Sequence, residues 1–294
     1  MANTPRATTS IKTAARRSSR PALAPAPLAV SSAPIGEQDE EGPESGTFIT
    51  ALARGLSVMR AFTSQSQHLT LADVARIVNL PRASVRRCLL TLQTLGYVES
   101  RDRYFSLSPR VLTIAQAYLT SSVLPRVSQS FLERLSEQIG ESCSISILNG
   151  EDVIYVARSA RKRMASLHRE VGTQLPAHCT SMGRVLLAAL SEGELQAFFE
   201  QVTLTKYTPS TITSLSKLAT VIKRVAKDGY CIVDEELEVN LRAIAVPVRN
   251  AAGAVVGAIN VSTQAGRTSR QTLVDTYLPQ MLQTAAELRP LLVN

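Results

Sequence analysis

Residues 70–107 read TLADVARIVNLPRASVRRCLLTLQTLGYVESRDRYFSL, and their spacing decides the architecture of the amino-terminal half. Thr70 suits a helix N-cap, with Asp73 three residues on where a capping box places its acid. Leu71, Val74, Ala75 and Val78 then recur on one helical face. Asn79 tolerates the left-handed conformation that ends a helix, and Pro81 has no N–H to continue the ladder but fits the first position of a new helix. In that second helix Val85, Leu89 and Leu92 share one side, whereas Ala83, Ser84 and Arg87 fall opposite and Arg86 on the flank. After Gly96, Tyr97–Glu99 and Tyr104–Leu107 read as two short strands joined by a turn of Arg101, Asp102 and Arg103. Two helices at a sharp turn followed by a basic-tipped hairpin predict a winged helix-turn-helix, which lays its second helix in the DNA major groove.

Charge supports that reading. Residues 46–110 hold nine arginines against Asp73, Glu99 and Asp102, a net +6 of the chain's formal +8. A local excess of this kind suits phosphate contact better than general solubility. Arg82, Ala83, Ser84, Arg86 and Arg87 are the expected groove-facing set, because arginine can hydrogen-bond a guanine edge twice and small residues permit close approach. Arg101 and Arg103 at the wing tip are expected on phosphates or in the minor groove, adding affinity without much base choice.

Residues 1–46 are rich in Ala, Pro, Ser, Thr and Arg, with too little aliphatic periodicity to offset the entropy of ordering, and are expected to form a disordered tail. Three prolines break the PALAPAPLAV segment, a poor signal-peptide core, and no apolar run approaches the length of a membrane span. The acid-free start has the composition of a transit peptide, a weak signal. Cys88, Cys143, Cys179 and Cys231 are scattered, as are the three histidines, which favours a reducing cytoplasm over disulfides or a zinc site.

Helices are expected at 51–62, before the motif, and at 111–119, as a linker. Further on, a helix at 127–139 ends at Gly140, and CSISILNGEDVIYVARS reads as a hairpin with a type I′ turn at Asn149-Gly150. Helices at 180–190, after Ser191 with Glu194, at 214–227 and at 269–288 alternate with strands at 230–233, 243–249 and 254–262. The prediction is α+β overall: a winged helix-turn-helix at 47–108, a linker helix at 109–122, and a sensor domain at 123–291 with an antiparallel sheet covered by helices.

GLSVMRAF followed by LTLADVARIVNLPRASVRRCLLTLQTLGYV resembles the winged-helix domain of the IclR family of bacterial transcription regulators. VGTQLPAHCTSMGRVLLAAL and DGYCIVDEELEVNLRAIAVPVRNAAGAVVGAINVS resemble its effector-binding domain. More narrowly, QLPAHCTSMGRVLLAAL and DEELEVNLRAIAVPVRN are similar to the branch governing aromatic acid breakdown through the β-ketoadipate pathway. The resemblance implies a cytoplasmic, non-enzymatic regulator that senses protocatechuate, 4-hydroxybenzoate or β-ketoadipate. It would bind operator DNA as a homodimer or dimer of dimers and activate transcription through RNA polymerase, without cofactor, metal or membrane.

Carried over position by position, the resemblance puts the effector on Thr180, Ser181 and Met182 at a helix start, and on Ala243, Asn260 and Ser262 on two strands. Free backbone N–H groups at a helix start suit an anion, and residues 260 and 262 face the same side of one strand. Ala243 stands where some relatives have cysteine, and Met182 is bulkier than the residue of glyoxylate-responsive members; both argue against a two-carbon ligand, and a polarizable Met suits a flat ring. Arg158, Arg184 and Arg242 are the candidate carboxylate partners, although each reads first as a surface residue. Other readings remain open: a repressor responding to another organic acid, an enzyme that uses the helix-turn-helix for association, and a thiol sensor at Cys179 beside His178. The run Asp234, Glu235, Glu236, Glu238 reads as a solvated turn or dimer contact.

Overall fold

A computed structural model describes residues 48–63, 65–161 and 169–293; the tail expected at 1–46 lies outside them. The amino-terminal unit begins with α1 (Thr50–Arg60) and a two-residue strand β1 (Leu69–Thr70). It continues through α2 (Leu71–Val78), α3 (Arg82–Thr94), β2 (Val98–Arg101) and β3 (Tyr104–Leu107). The Thr70 hydroxyl accepts from Asp73 N–H at 3.3 Å and the Asp73 carboxylate accepts from Thr70 N–H at 3.1 Å, a complete capping box. Asn79 closes α2 in the left-handed region (φ 51°, ψ 47°). Pro81 stands one residue earlier than expected, as the N-cap of α3. Val58, Val74, Val85, Leu89, Leu92 and Val98 form the core of this unit. Each fully buried side chain of this size contributes about 1.5–3 kcal/mol. β1 was not anticipated; it pairs with β3, so the wing is a three-stranded sheet in the order β1-β3-β2.

Helix α4 (Val111–Ser121) buries none of its residues and leads into α5 (Val123–Ile139), which starts four residues before the expected helix and ends on left-handed Gly140. The second unit is a six-stranded antiparallel sheet ordered β6-β5-β4-β9-β8-β7, from β4 (Ser142–Asn149), β5 (Asp152–Ser159), β6 (Gln174–Pro176), β7 (Cys231–Asp234), β8 (Leu241–Arg249) and β9 (Val255–Gln264). The β4–β5 turn differs from the expected type I′. Asn149 still pairs with Asp152, so the central residues are Gly150 and Glu151, and of these only Gly150 has positive φ (59°). A I′ turn needs positive φ at both.

One face of the sheet packs on α5 and on the carboxy-terminal helix α10 (Leu278–Leu288), through Cys143, Ile145, Ile244, Val246, Ile259 and Val261. The other faces α6 (Ser181–Leu187), α7 (Glu192–Gln201) and α8 (Leu215–Asp228). The single helix expected at 269–288 is interrupted: one turn, α9 (Arg270–Thr272), passes into a π-helical stretch, Leu273–Tyr277, before α10 resumes. Pro279 lacks the N–H that would continue the α ladder across this point, and a wider turn accommodates that.

Candidate functional site

Alternation along the strands divides large from small residues. On β9, Ile259 and Val261 enter the α5–α10 core while Ala258, Asn260 and Ser262 face the other way; on β8, Ile244 and Val246 alternate with Ala243 and Ala245. The register sets Asn260 against Ala245 and Ser262 against Ala243. Small residues on this face leave a narrow, partly open cavity between sheet and α6. Thr180, Ser181, Met182, Ala243, Asn260 and Ser262, the six positions suggested above, all line it. So do Tyr155, Leu175, Cys179, Val233, Leu237 and Leu241, which make most of the wall apolar, and Arg169.

Five polar or charged side chains on the wall are almost wholly buried: Ser181 (1% exposed), Asn260 (2%), Thr180 (4%), Ser262 (7%) and Arg169 (7%). Asn260 Nδ2 donates to Ser262 Oγ at 3.2 Å. Asn260 Oδ1 and Ser181 Oγ have no hydrogen-bond partner among the described residues. A buried polar atom without a partner is costly, so these two atoms mark where a ligand would be rewarded.

The start of α6 offers an anion less than its sequence suggests. Helix α6 is seven residues long, and the Thr180 hydroxyl already accepts the Gly183 N–H at 3.2 Å, so side chains carry the polar chemistry. Gly183 lets α6 begin here at all. A Cβ on it would overlap the Ala177 carbonyl in the 3-10 turn Ala177–Cys179.

The expected cations are committed elsewhere, and none is a simple surface residue. Arg184 is 2% exposed and forms a bidentate pair with Glu236, both contacts 2.6 Å, while its Nε donates to the His178 carbonyl. Arg242 pairs with Asp234 at 2.8 and 2.9 Å. Arg158 donates to Ser144 Oγ at 3.0 Å. None of the three lines the cavity; Arg169 does, and it was missed. It lies outside any periodic segment and its partner Glu238 is 69 residues away, so no local pattern marks it. The acidic run is correspondingly not a solvated turn: Asp234, Glu236 and Glu238 each hold an arginine.

His178 and Cys179 do not form a nucleophile–base pair. His178 Nε2 lies 3.2 Å from the Thr205 carbonyl, and burial lowers its pKa. Burial pushes the Cys179 thiol up to about 12, the opposite of the activation expected at a helix start. Among the described residues no cluster of three metal-ligating side chains occurs, and no helix is long and apolar enough to cross a membrane.

In the amino-terminal unit the buried side of α3 is Val85, Leu89 and Leu92. Arg82, Ala83, Arg86 and Arg87 are exposed and Ser84 is half-buried, so all five lie away from the core. Arg101 and Arg103 are exposed at the β2–β3 turn, where Asp102 takes positive φ (56°). Arg103 stacks over the Tyr104 ring, 5.2 Å to the centroid, and donates to its hydroxyl at 3.1 Å.

Residues 51–102 match the IclR helix-turn-helix domain and residues 116–289 match the bacterial transcriptional regulator IclR C-terminal domain. The chain belongs to the IclR family. Among IclR relatives, the Pca regulon regulatory protein of Pseudomonas putida is 44% identical over 242 residues, 82% of this chain and 83% of that protein. The p-hydroxybenzoate hydroxylase transcriptional activator of Acinetobacter baylyi is 39% identical, covering 83% and 92%. These match the β-ketoadipate branch. Among solved structures, a candidate transcriptional regulator from Rhodococcus sp. RHA1 is 45% identical with a TM-score of 0.72, over 83% of this chain and 98% of that one. The inducer-binding domain of an Acinetobacter PobR double mutant, solved with 3-hydroxybenzoic acid, is 38% identical with a TM-score of 0.54 and covers 57% of this IclR chain and 98% of its own.

Proposed function

We propose that this chain is a cytoplasmic, effector-responsive activator of aromatic acid catabolism genes. Its winged helix-turn-helix would read operator DNA through Arg82, Ala83, Ser84, Arg86 and Arg87, with Arg101 and Arg103 on the backbone. Its sensor domain binds a hydroxylated aromatic acid in the cavity under α6, on Thr180, Ser181, Met182, Ala243, Asn260 and Ser262. The unpartnered Asn260 Oδ1 carries this reading. It accepts but cannot donate, so it wants a ligand O–H. Protocatechuate and 4-hydroxybenzoate bring a phenolic hydroxyl, whereas β-ketoadipate, a dianion at neutral pH, brings none in its keto form. The kinship with a p-hydroxybenzoate hydroxylase activator supports both the ligand class and the sign of regulation.

Dimerisation is supported by unpartnered apolar surface outside the sensor core. Leu52 and Leu56 on α1, with Phe48 and Ile49 before it, and Leu112, Ile114 and Tyr118 on α4 are all at least 45% exposed. Covering these faces with a second copy would place two recognition helices on successive operator half-sites. Effector binding would then change the placement of those helices, provided it favours one arrangement over the other, and alter engagement of RNA polymerase.

A thermal-shift series with protocatechuate, 4-hydroxybenzoate, β-ketoadipate, glyoxylate and pyruvate tests the sensor half. The expected result is stabilisation by a hydroxybenzoate, about 2.7 kcal/mol at a hundredfold excess over Kd, and none by glyoxylate. Stabilisation by glyoxylate or pyruvate alone would overturn the ligand class.

A further inference from the structure

We propose that Arg169 is the residue that selects a carboxylate in this cavity, and that Glu238 is its resting counter-ion, displaced when the ligand acid arrives. The inference rests on the effector reading above and adds to it a specificity residue and an exchange of ion-pair partners.

Among the described residues lining the cavity, Arg169 carries the sole charged side chain, and it is 7% exposed. Its commitment is slight compared with its neighbours. Nη2 alone reaches Glu238 Oε2, at 3.2 Å, and among the described residues the guanidinium has no second acceptor. Arg184, by contrast, fills both oxygens of Glu236 at 2.6 Å and a backbone carbonyl besides. Arg242 is likewise bidentate on Asp234, and its Nη1 donates to the Ala265 and Thr268 carbonyls. A guanidinium presents five donors in a planar fork that matches two carboxylate oxygens, so a single long contact leaves most of its capacity unused. An incoming carboxylate offers the bidentate geometry Glu238 does not supply.

Glu238 is suited to be displaced. It is partly exposed, its side chain 28% accessible against 8% for Arg169, so a released carboxylate can regain water. Burial raises its pKa and Arg169 opposes that rise, so proton uptake also eases its release. Glu238 belongs to a tight turn between β7 and β8, closed by Glu235 N–H to the Leu241 carbonyl at 2.7 Å and by Asn240 N–H to Glu235 Oε1 at 2.8 Å. Leu237 and Leu241 of the same segment line the cavity. Partner exchange at Arg169 would therefore be felt by a segment that also forms the apolar wall.

The test compares 4-hydroxybenzoate with 4-hydroxybenzamide, its neutral near-isostere, by calorimetry on the full chain. Wild type is expected to prefer the acid by about tenfold or more, the value of a charge-assisted contact. Arg169→Gln should weaken the acid by a similar factor and leave the two compounds nearly equal. Glu238→Gln should keep the preference and bind the acid severalfold more tightly, since a competitor is removed. If wild type binds the acid and amide within twofold of each other, or Arg169→Gln keeps the full preference, the inference is overturned while the effector reading stands. Should Arg169→Gln not fold, the wild-type preference and the Glu238→Gln gain still decide, and a Glu238→Gln loss of acid binding counts against it. Wild type that binds no hydroxybenzoate at all removes the effector reading and this inference together.

Discussion

Arg184 and Glu236 are 52 residues apart in sequence and meet in a fully bidentate pair, Nη1 to Oε1 and Nη2 to Oε2, both at 2.6 Å. The pair ties α6, which begins at the cavity, to the turn that follows β7. Glu236 Oε2 also accepts the Ile212 N–H at 3.1 Å, and the Glu236 carbonyl accepts the Thr211 hydroxyl, so a third segment joins the same knot. Such a pair costs desolvation to bury, and its geometry offsets that cost only while both partners remain.

Removing one partner should therefore be severe. Glu236→Ala is expected to destabilise the sensor domain by about 3–5 kcal/mol, because the guanidinium stays buried without its counter-ion. Replacing both, with Arg184→Met and Glu236→Leu, should cost less than Glu236→Ala alone, leaving mainly unmatched backbone groups at about 1–3 kcal/mol. Urea unfolding of the two variants measures this. A double variant as unstable as Glu236→Ala, or more so, would refute the coupling.

Gly183→Ala should damage the pocket through sterics alone. The added Cβ collides with backbone at Ala177, which cannot swing aside as a side-chain tip can. Overpacking of this kind costs about 1–3 kcal/mol or more, and the shift of α6 should abolish effector-induced stabilisation even where the variant folds. Circular dichroism melts with and without 4-hydroxybenzoate read both effects.

For the DNA-binding half, Arg87→Ala should weaken operator binding while leaving the melting temperature nearly unchanged, since Arg87 is exposed and outside the core. Arg101→Ala should weaken specific and random duplex alike and lower the salt slope of log affinity by about one. Fluorescence anisotropy across a salt series separates the two behaviours. Undiminished operator affinity in Arg87→Ala would remove it from the interface.

His178 gives the sensor domain a pH dependence of defined sign. Burial lowers its folded pKa below the ordinary 6.5, Arg184 adds to this, and the bond to Thr205 opposes it. The unfolded chain thus takes up the proton first, and stability falls as pH drops below about 6.5 toward the folded value. His178→Gln should flatten that segment of the stability curve. The capping acids Asp73 and Glu194, lowered by their hydrogen bonds to Thr70 and Ser191, act in a separate window below about pH 4.5, where protonation removes their caps.

Thiol reactivity should follow burial. Cys143 and Cys179 are pushed up to about 12 and Cys231 to about 11, while Cys88 is only half-buried. Ellman's reagent at pH 8 is expected to modify Cys88 well ahead of the other three, and Cys88→Ser should eliminate the fast phase. Fast modification of Cys179 would restore a redox role for it.

Local signals were the legible part of this chain. The capping boxes at Thr70–Asp73 and Ser191–Glu194 and the left-handed stops at Asn79 and Gly140 depend on residues a few positions apart, and they stand where the spacing predicts them. Strands β1 and β6 were not legible: two or three residues long, they exist because β3 and β5 offer an edge. The π-helical stretch at Leu273–Tyr277 was hidden because the periodicity through it is nearly helical. At the site, alternation put Asn260 and Ser262 on one side, but which arginine enters the cavity depends on tertiary pairing, and Arg169 had no signal within reach of a sequence window.

The division of β8 and β9 into a side of large aliphatics and a side of small residues separates two kinds of mutational freedom. Exchanges at position 243 alter the room beneath α6 without replacing Ile244, Val246 or Ile259, which anchor the opposite core. Ligand range can then drift by single methyl groups along one side of a strand while the aliphatic core on its reverse stays intact. In such a scaffold, new chemical vocabularies can be acquired one residue at a time without passing through an unfolded ancestor.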